Sequence, residues 1–414
     1  MYLALREMRF AKARYSLIAT ILLLVAFLVL FVTGLAQGLA YDNAASIQNM
    51  TATHFMMEKA ADHHFTRSRV SGQQAAQAGA AAGANNVQPL GVRMTTVTAG
   101  GAAGKLDVTL LAVEPDGWLM PTVTEGAKLA ADSAGQVVVD DKLKASGVGI
   151  GTVLTDQASG RQWTVSGFVS RESFSHSPAV WMSERDWRAL QAASAGSARA
   201  GATASAAGEA AAGATAGVAD VAADAAAAGV KGGAASVAAD DAADAAIYNA
   251  LAVKTDDAGA KRLAAALPTL EAVSKAAAVA AIPGYKEEQG SLLMMRVFLF
   301  VISAFVLAVF FYVITIQKSH LFGILKAIGT RNAYLARSVV LQVLLLSAGS
   351  LLTSLLLVGA MEALLPDGMP FRLQASMLAL TCGAFMAMSL AGSLLSLWKV
   401  SRIDALDAIG RAAA

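Results

Sequence analysis

Val297–Gln317 reads VFLFVISAFVLAVFFYVITIQ, an apolar run without Asp, Glu, Lys or Arg. At a rise of about 1.5 Å per residue, such a run crosses the roughly 30 Å hydrocarbon core of a bilayer as one helix. A charge at its centre would cost about 2.5–3.5 kcal/mol on insertion scales, so a clean run is what a lipid-facing helix requires. Three further charge-free stretches match it: Tyr15–Tyr41, Ser338–Met361 and Leu373–Trp398. Together they account for a chain of 414 residues that is 56% hydrophobic and 15% charged, too apolar for a soluble domain of that size. Buried helices of a soluble core are the competing reading. Four such runs with correctly charged flanks argue against it.

The flanks orient the chain. Arg6, Arg9, Lys12 and Arg14 precede the first run, Lys318, Lys326, Arg331 and Arg337 separate the second from the third, and Lys399 and Arg402 follow the fourth. The positive-inside rule makes these segments cytoplasmic. The expected layout is a cytoplasmic segment at 1–14, spans at 15–41, 290–317, 336–361 and 373–398, an extracellular domain at 42–289, a cytoplasmic loop at 318–335, a short outer loop at 362–372 and a cytoplasmic tail at 399–414. The first run exceeds the apolar stretch of about 7–15 residues of a signal peptide, so a retained anchor is expected despite the small residues at Gly34–Ala40. The single cysteine, Cys382, lies in the fourth run and leaves no intrachain disulfide to brace the outer domain. A net charge of +2, with basic residues explained by topology, gives no reason to expect nucleic acid.

Inside the outer segment, Gln136–Asp141 reads as a buried strand, and Trp163, Val165 and Val169 alternate along another. Gly147, Gly149 and Gly151 punctuate the link, which suggests a hairpin-like unit. Leu106, Val108 and Leu110 form a further period-two run, as do Leu251 and Val253. Ser183-Glu-Arg-Asp186 has capping-box spacing and starts a helix, and a second helix runs from Asp256 or Asp257 to Leu267, where Pro268 stops it. The expected fold class is therefore an α-helical membrane protein with four transmembrane helices and an α+β extracellular domain inserted between helices 1 and 2. Two Ala/Gly-rich stretches, 71–84 and 192–246, bury little per residue; the longer one is expected to be a disordered or loosely ordered insertion.

Chemistry-bearing motifs are scarce. Gly100–Lys105 is glycine-rich but lacks the spacing of a phosphate-cradling loop, so any ATP must be bound by a separate subunit. The histidines His54, His63, His64, His176 and His320 fall in no spacing that implies a nucleophile or catalytic metal, and no intrinsic cofactor or enzymatic activity is expected. His54 and Glu58 share a face if helical, and a solvated loop is the simpler reading of His54, His63 and His64. Leu321, Ile324, Leu325 and Ile328 recur at helical spacing, with Gly329 placed to end the helix and Lys326 on its polar side. That helix suits either a membrane surface or a partner's groove. Gly34 and Gly38 permit close helix contact, within the chain or with a second copy.

Ile282-Pro-Gly-Tyr-Lys-Glu-Glu-Gln289, Phe311-Tyr-Val-Ile-Thr-Ile-Gln-Lys318 and Phe322-Gly-Ile-Leu-Lys-Ala-Ile-Gly329 resemble ABC transporter permeases of the MacB/FtsX superfamily, most closely its HrtB-type haem exporters. Arg14–Ile18, Leu30–Ala36, Ser173–Pro178 and Ile403–Gly410 carry the same likeness. The resemblance implies two copies of the permease with two copies of a cytoplasmic ABC ATPase that holds ATP and Mg. Leu321, Phe322, Gly323, Ile324, Leu325, Lys326, Ile328 and Gly329 then form the coupling element, in favour of the partner's groove. It implies haem as a substrate taken from the bilayer of a bacterial cell membrane and extruded by mechanotransmission. The expected haem site lies between the outer halves of the first two spans, with Tyr285 and Met294 as leading iron-side residues and Met295, Phe31, Gln37 and Tyr41 around them. Aromatic anchoring at the interface and ordinary packing are the plainer readings of these tyrosines and methionines. Another amphipathic substrate, such as a peptide or lipid-like drug, is the alternative within the superfamily. A signalling permease that switches an external partner without transport is the alternative of another class.

Overall fold

The computed structural model describes residues 12–100, 104–130, 133–194, 246–317, 323–325, 328–365 and 369–401. The contacts divide the chain into two units, Met1–Tyr41 with Glu287–Ala414, and Asp42–Lys286. Helices are α1 (Lys12–Asn49), α2 (Gly72–Ala82), α3 (184–194), α4 (Asp257–Ala266), α5 (Lys275–Ala280), α6 (Tyr285–Gln317), α7 (Asn332–Leu364) and α8 (Ala375–Ser401). Four of them, α1, α6, α7 and α8, are long and apolar enough to cross a membrane. The protein is a multi-pass membrane protein whose α+β extracellular domain is inserted between the first and second of these helices.

Lipid tails are as apolar as leucine, so helices in a bilayer associate through close packing and hydrogen bonds rather than through water exclusion. The membrane unit shows both. Leu22 and Ala26 of α1, Leu307 and Phe311 of α6, Val343 and Leu346 of α7 and Phe385 of α8 form one buried cluster. Ser350 and Ser354 of α7 donate to the α1 carbonyls of Ala19 and Leu23 at 3.1 and 2.8 Å, and the Tyr15 hydroxyl donates to Gln342 at 3.1 Å. The opposite face of α6 shows Met294, Phe298, Ile302, Phe305 and Val309 outward, an apolar stripe at helical spacing.

Thirteen strands are described in the outer unit: β1 (His54–Glu58), β2 (Val70–Ser71), β3 (Val87–Ala99), β4 (Lys105–Val113), β5 (Glu125–Gly126), β6 (Gln136–Asp140), β7 (Val153–Asp156), β8 (Gln162–Val169), β9 (Ser173–Phe174), β10 (Ser177–Ser183), β11 (Ile247–Tyr248), β12 (Ala250–Val253) and β13 (Leu270–Ser274). The main sheet runs β13-β1-β12-β3-β4-β10-β6-β8-β5, with β7 pairing β3 and β8, and β9 pairing β10. Strand β3 belongs to both halves: Val87–Leu90 pairs with β12 and Gly91–Thr98 with β4. One apolar cluster gathers Phe55, Phe65, Phe174 and Trp181, and a second gathers Trp163, Val165, Phe168 and Met182.

Several expectations change. The link after β6 is no hairpin, because β6 and β8 are parallel and a parallel pair needs a crossover. That crossover is a 3-10 turn over Asp141–Ser146, closed by Gly147 at φ 81°, followed by β7, and it is β7 that forms the antiparallel pair with β8. His54 and Glu58 lie on strand β1 rather than a helix, and His54 is buried, its Nε2 3.1 Å from Asp257 and its Nδ1 3.2 Å from the Thr53 hydroxyl. Residues 72–82 form a helix with a full capping box between Ser71 and Gln74, and Ala78 is buried against its neighbours. In the other Ala-rich stretch, residues 195–245 lie outside the described residues. Ala192–Ser194 finish α3, and Ala246 is buried.

Candidate functional site

α1 brings Phe31, Gln37 and Tyr41 to one end of the membrane unit, where the segment from Met369 to Gln374 packs on them. Phe371 stacks on Phe31 with centroids 5.6 Å apart, and Phe31 stacks in turn on Phe27 at 5.8 Å. The Gln37 side chain accepts from the Gln374 N–H at 3.1 Å, and the Arg372 N–H donates to the Gly34 carbonyl at 3.2 Å. The Arg372 guanidinium lies 3.8 Å from the Tyr41 ring centroid, within cation–π range.

Gly34 and Gly38 make this approach possible. A Cβ at Gly34 would come within 2.5 Å of the Phe371 ring, and one at Gly38 would lie 2.1 Å from the Pro370 carbonyl oxygen. Of the two uses left open for this glycine pair, the described contacts are those within the chain. Arg372 and Phe371 were not singled out in the sequence. The signal was present, because Arg372 is a basic residue on the side of the membrane that the positive-inside rule leaves poor in them.

The other expected haem residues are not in this group of contacts. Met294 and Met295 are 62% and 47% exposed on α6, presented outward from the unit. Tyr285 is counted with the outer unit, where its ring packs against the cluster containing Ile282 and Val279. Within the described residues no group of three or more His, Cys, Asp or Glu side chains could hold a metal ion.

In the outer unit, residues 42–49 of α1 are fastened to the segment before β10. Ala44, at φ −136° and ψ 17°, interrupts the helix there. Asp42 pairs with Lys142, its carboxylate and carbonyl both accept from the Ser173 hydroxyl, and His176 lies 3.5 Å away. The Asn49 amide donates to the Arg171 carbonyl and to the Glu172 carboxyl, each at 3.0 Å. Beneath them Asp140 accepts from the Lys142 and Glu172 N–H groups. Burial pushes the Glu172 carboxyl up to about 8, with the neighbouring Asp140 charge adding to the rise and the Asn49 bond opposing it. Burial likewise lifts Asp140 to about 6 against its backbone hydrogen bonds.

Of the expected coupling residues, Leu321, Phe322 and Lys326 lie outside the described residues. Gly323, Ile324 and Leu325 form a helical turn. The Ile328 N–H donates to the Ile324 carbonyl, the Thr330 N–H to the Leu325 carbonyl, and Gly329 sits at φ 93°. That is a Schellman stop, in which the left-handed residue is tolerable because it is glycine. Leu325 packs on the buried Leu335 of α7, while Ile328 is 76% exposed.

Residues 293–405 match the family model of the FtsX-like permease C-terminal domain. Over its whole length the chain is similar to proteins bearing the name hemin transport system permease protein HrtB. That of Staphylococcus haemolyticus is 25% identical over 414 residues, and that of Staphylococcus epidermidis is 25% identical over 413, each covering 99% of both chains. The solved extracellular domain of the noncanonic ABC-type transporter YknZ from Gram-positive bacteria aligns with 54% of this chain and 100% of its own. It does so at 10% identity and a TM-score of 0.31, too low to bear on the fold.

Proposed function

We propose that the chain is an ABC-type permease of the FtsX/MacB superfamily, a non-catalytic transport subunit, and that it extrudes haem from the bilayer by mechanotransmission. Permeases of this kind generally work as dimers with a cytoplasmic ABC ATPase, and that is the assembly proposed here: two copies of this chain and two of the ATPase, which binds ATP and Mg. The observation that carries the substrate is the end-to-end similarity to permeases named for hemin transport.

The chemistry of the site residues agrees with that cargo. Stacked Phe27, Phe31 and Phe371 offer an apolar aromatic wall to a macrocycle, and Arg372 offers a cation to its carboxylates. Met294 and Met295, outward on α6, are within reach of a ligand arriving laterally through lipid, and a thioether or phenol is an acceptable iron donor. Tyr285 and Met294 are the proposed iron-side residues. On the cytoplasmic side, the turn closed by Gly329 is proposed to receive the ATPase stroke. Leu325 would pass it to α7 through Leu335, and α7 holds α1 through the Ser350 and Ser354 bonds.

The test is the purified permease–ATPase complex in nanodiscs. Haem should give a Soret band and stimulate ATP hydrolysis, and Tyr285→Phe and Met294→Leu should shift the band and lower export with expression retained. Unchanged export in both variants would remove these residues from the site. No Soret band together with no stimulation would sink the haem reading and favour the signalling alternative, in which the outer domain acts on an external partner.

A further inference from the structure

A cavity of about 930 Å³ opens in the outer domain between α3, β3, the turn at residues 66–69 and the segment at residues 246–249. It belongs entirely to the Asp42–Lys286 unit and shares no residue with the proposed haem site. Its floor is apolar. Trp187 and Leu190 are buried beneath it, Trp187 lying flat on β3 because Gly91 has no Cβ, which would come within 2.5 Å of the indole, and Ile247, 40% exposed, is the large apolar side chain on its surface.

The polar groups on the wall divide into two kinds. Apart from the exposed Thr66 hydroxyl, the neutral ones are already spent on the protein. Asn249 accepts from the Val92 N–H and donates to the Phe65 and Ser68 carbonyls. Gln191 exchanges hydrogen bonds with both backbone groups of Ile247, and the Trp187 N–H also donates to the Ile247 carbonyl. Ser194 donates to the Leu190 carbonyl.

What remains is cationic. Arg69, Arg93 and Arg188 line the cavity, and among the described residues no Asp or Glu does. Arg188 is tied to Glu184 at 2.6 Å, but Arg93 spends one described side-chain donor, on Ser194 at 2.9 Å, and Arg69 is exposed, its backbone N–H donating to the Glu58 carboxyl at 3.3 Å. A guanidinium carries five N–H donors in a planar fork suited to carboxylate or phosphate. The volume is far larger than one inorganic anion needs and falls in the range of small-molecule sites, roughly 300–1,000 Å³.

We propose that this cavity binds an amphipathic polyanion, its carboxylate or phosphate groups held by Arg69 and Arg93 and its apolar body laid against Ile247. Either kind of acidic group satisfies the guanidinium forks, whether it belongs to an exported dicarboxylate or to a phosphate-bearing component of the cell envelope.

The test uses the full-length protein in nanodiscs of zwitterionic lipid and pyrenetetrasulfonate, a water-soluble aromatic tetra-anion, followed by fluorescence anisotropy. Saturable binding that weakens with added salt is expected, with loss of affinity of about tenfold or more in Arg69→Gln and further loss in the Arg69→Gln/Arg93→Gln pair. Arg69 is exposed, so its variant should unfold at the wild-type temperature, and Arg69→Lys should recover part of the affinity. Tyr285→Phe should bind the probe like wild type, which separates this cavity from the membrane site whatever becomes of the haem reading. Displacement by tricarballylate or by tripolyphosphate would support the site and identify the acidic group it prefers. Equal binding in wild type and the double variant, or binding that neither competitor displaces, would overturn the proposal.

Discussion

Replacing Gly38 by Ala should destabilise the membrane unit by about 2 kcal/mol, a net of two opposed effects. An ideal Cβ there would lie 2.1 Å from the Pro370 carbonyl oxygen, 2.3 Å from its carbon and 2.5 Å from the Phe371 nitrogen. Ordinary carbon–oxygen contact begins near 3.3 Å, so helix and loop must part by about 1 Å. All three atoms are backbone, so no rotamer change relieves the overlap. Overpacking of this kind costs typically 1–3 kcal/mol, and the rigid neighbours place this site at the upper end. Alanine's better helix propensity returns about 1 kcal/mol. Parting the loop also strains the Arg372 bond to Gly34 and lifts the guanidinium from Tyr41. Gly359→Ala is the control, because a Cβ on that α7 glycine meets nothing within 4 Å. Reversible unfolding of the purified protein in mixed micelles should show Gly38→Ala below wild type and Gly359→Ala at or above it. A Gly38→Ala protein as stable as wild type would refute the close approach of loop and helix, and with it the grouping of Phe31, Gln37 and Tyr41.

Three other outcomes are expected. Glu172 has its carboxyl raised from 4.5 to about 8, so the native state binds the extra proton between those values. Outer-domain stability should therefore fall as pH rises through that window and level off above it, and Glu172→Gln should flatten the decline in thermal unfolding followed from pH 5 to 9. Ser350→Ala with Ser354→Ala removes two bonds from α7 to α1 and should cost about 1 kcal/mol in the same micelle unfolding, since such interhelical bonds average about 0.6 kcal/mol each. Thr353→Ala, which loses only a bond to its own helix at Gly349, should change little. Leu325→Ala should uncouple the proposed ATPase from the permease, abolishing haem stimulation of ATP hydrolysis while the Soret band persists; stimulation at the wild-type level would remove the Leu325–Leu335 contact from the coupling path.

The membrane architecture was readable because bilayers impose a strong one-dimensional rule, and Val297–Gln317 obeys it without exception. Local helix starts were readable for a similar reason. Ser183 accepts from the Asp186 N–H and Asp256 from the Gly259 N–H, each a contact over three residues. The same rule applies at Ser71 and Gln74, where the alanine-rich composition says only that the stretch buries little per residue and the capping box starts a helix. Strand partners were not readable, because alternation tells which face of β6 is buried and not that β8 lies beside it in parallel. Burial of Glu172 was equally hidden, since the groups that enclose it come from Asn49 and Asp140, far along the chain. For the candidate site, Phe31, Gln37 and Tyr41 came from a likeness on one helix. Their partners Phe371 and Arg372 come from another part of the chain that no local pattern links to α1.

The order of strands in the outer sheet also sets a timetable for its synthesis. β1 at His54–Glu58 pairs on one side with β12 at Ala250–Val253 and on the other with β13 at Leu270–Ser274. Nearly two hundred residues therefore leave the ribosome between β1 and its first partner, a wait on the order of 10–40 s at typical elongation rates. Throughout that interval Phe55 and Met57 lack the sheet neighbours that cover them in the finished domain. By then α1, just ahead of β1 in the chain, has already been made, so the strand waits at a fixed anchor in the membrane rather than free in solution. Tethering of this kind limits encounters between unfinished chains, and the half-built domain depends on that isolation until residue 274 completes the sheet.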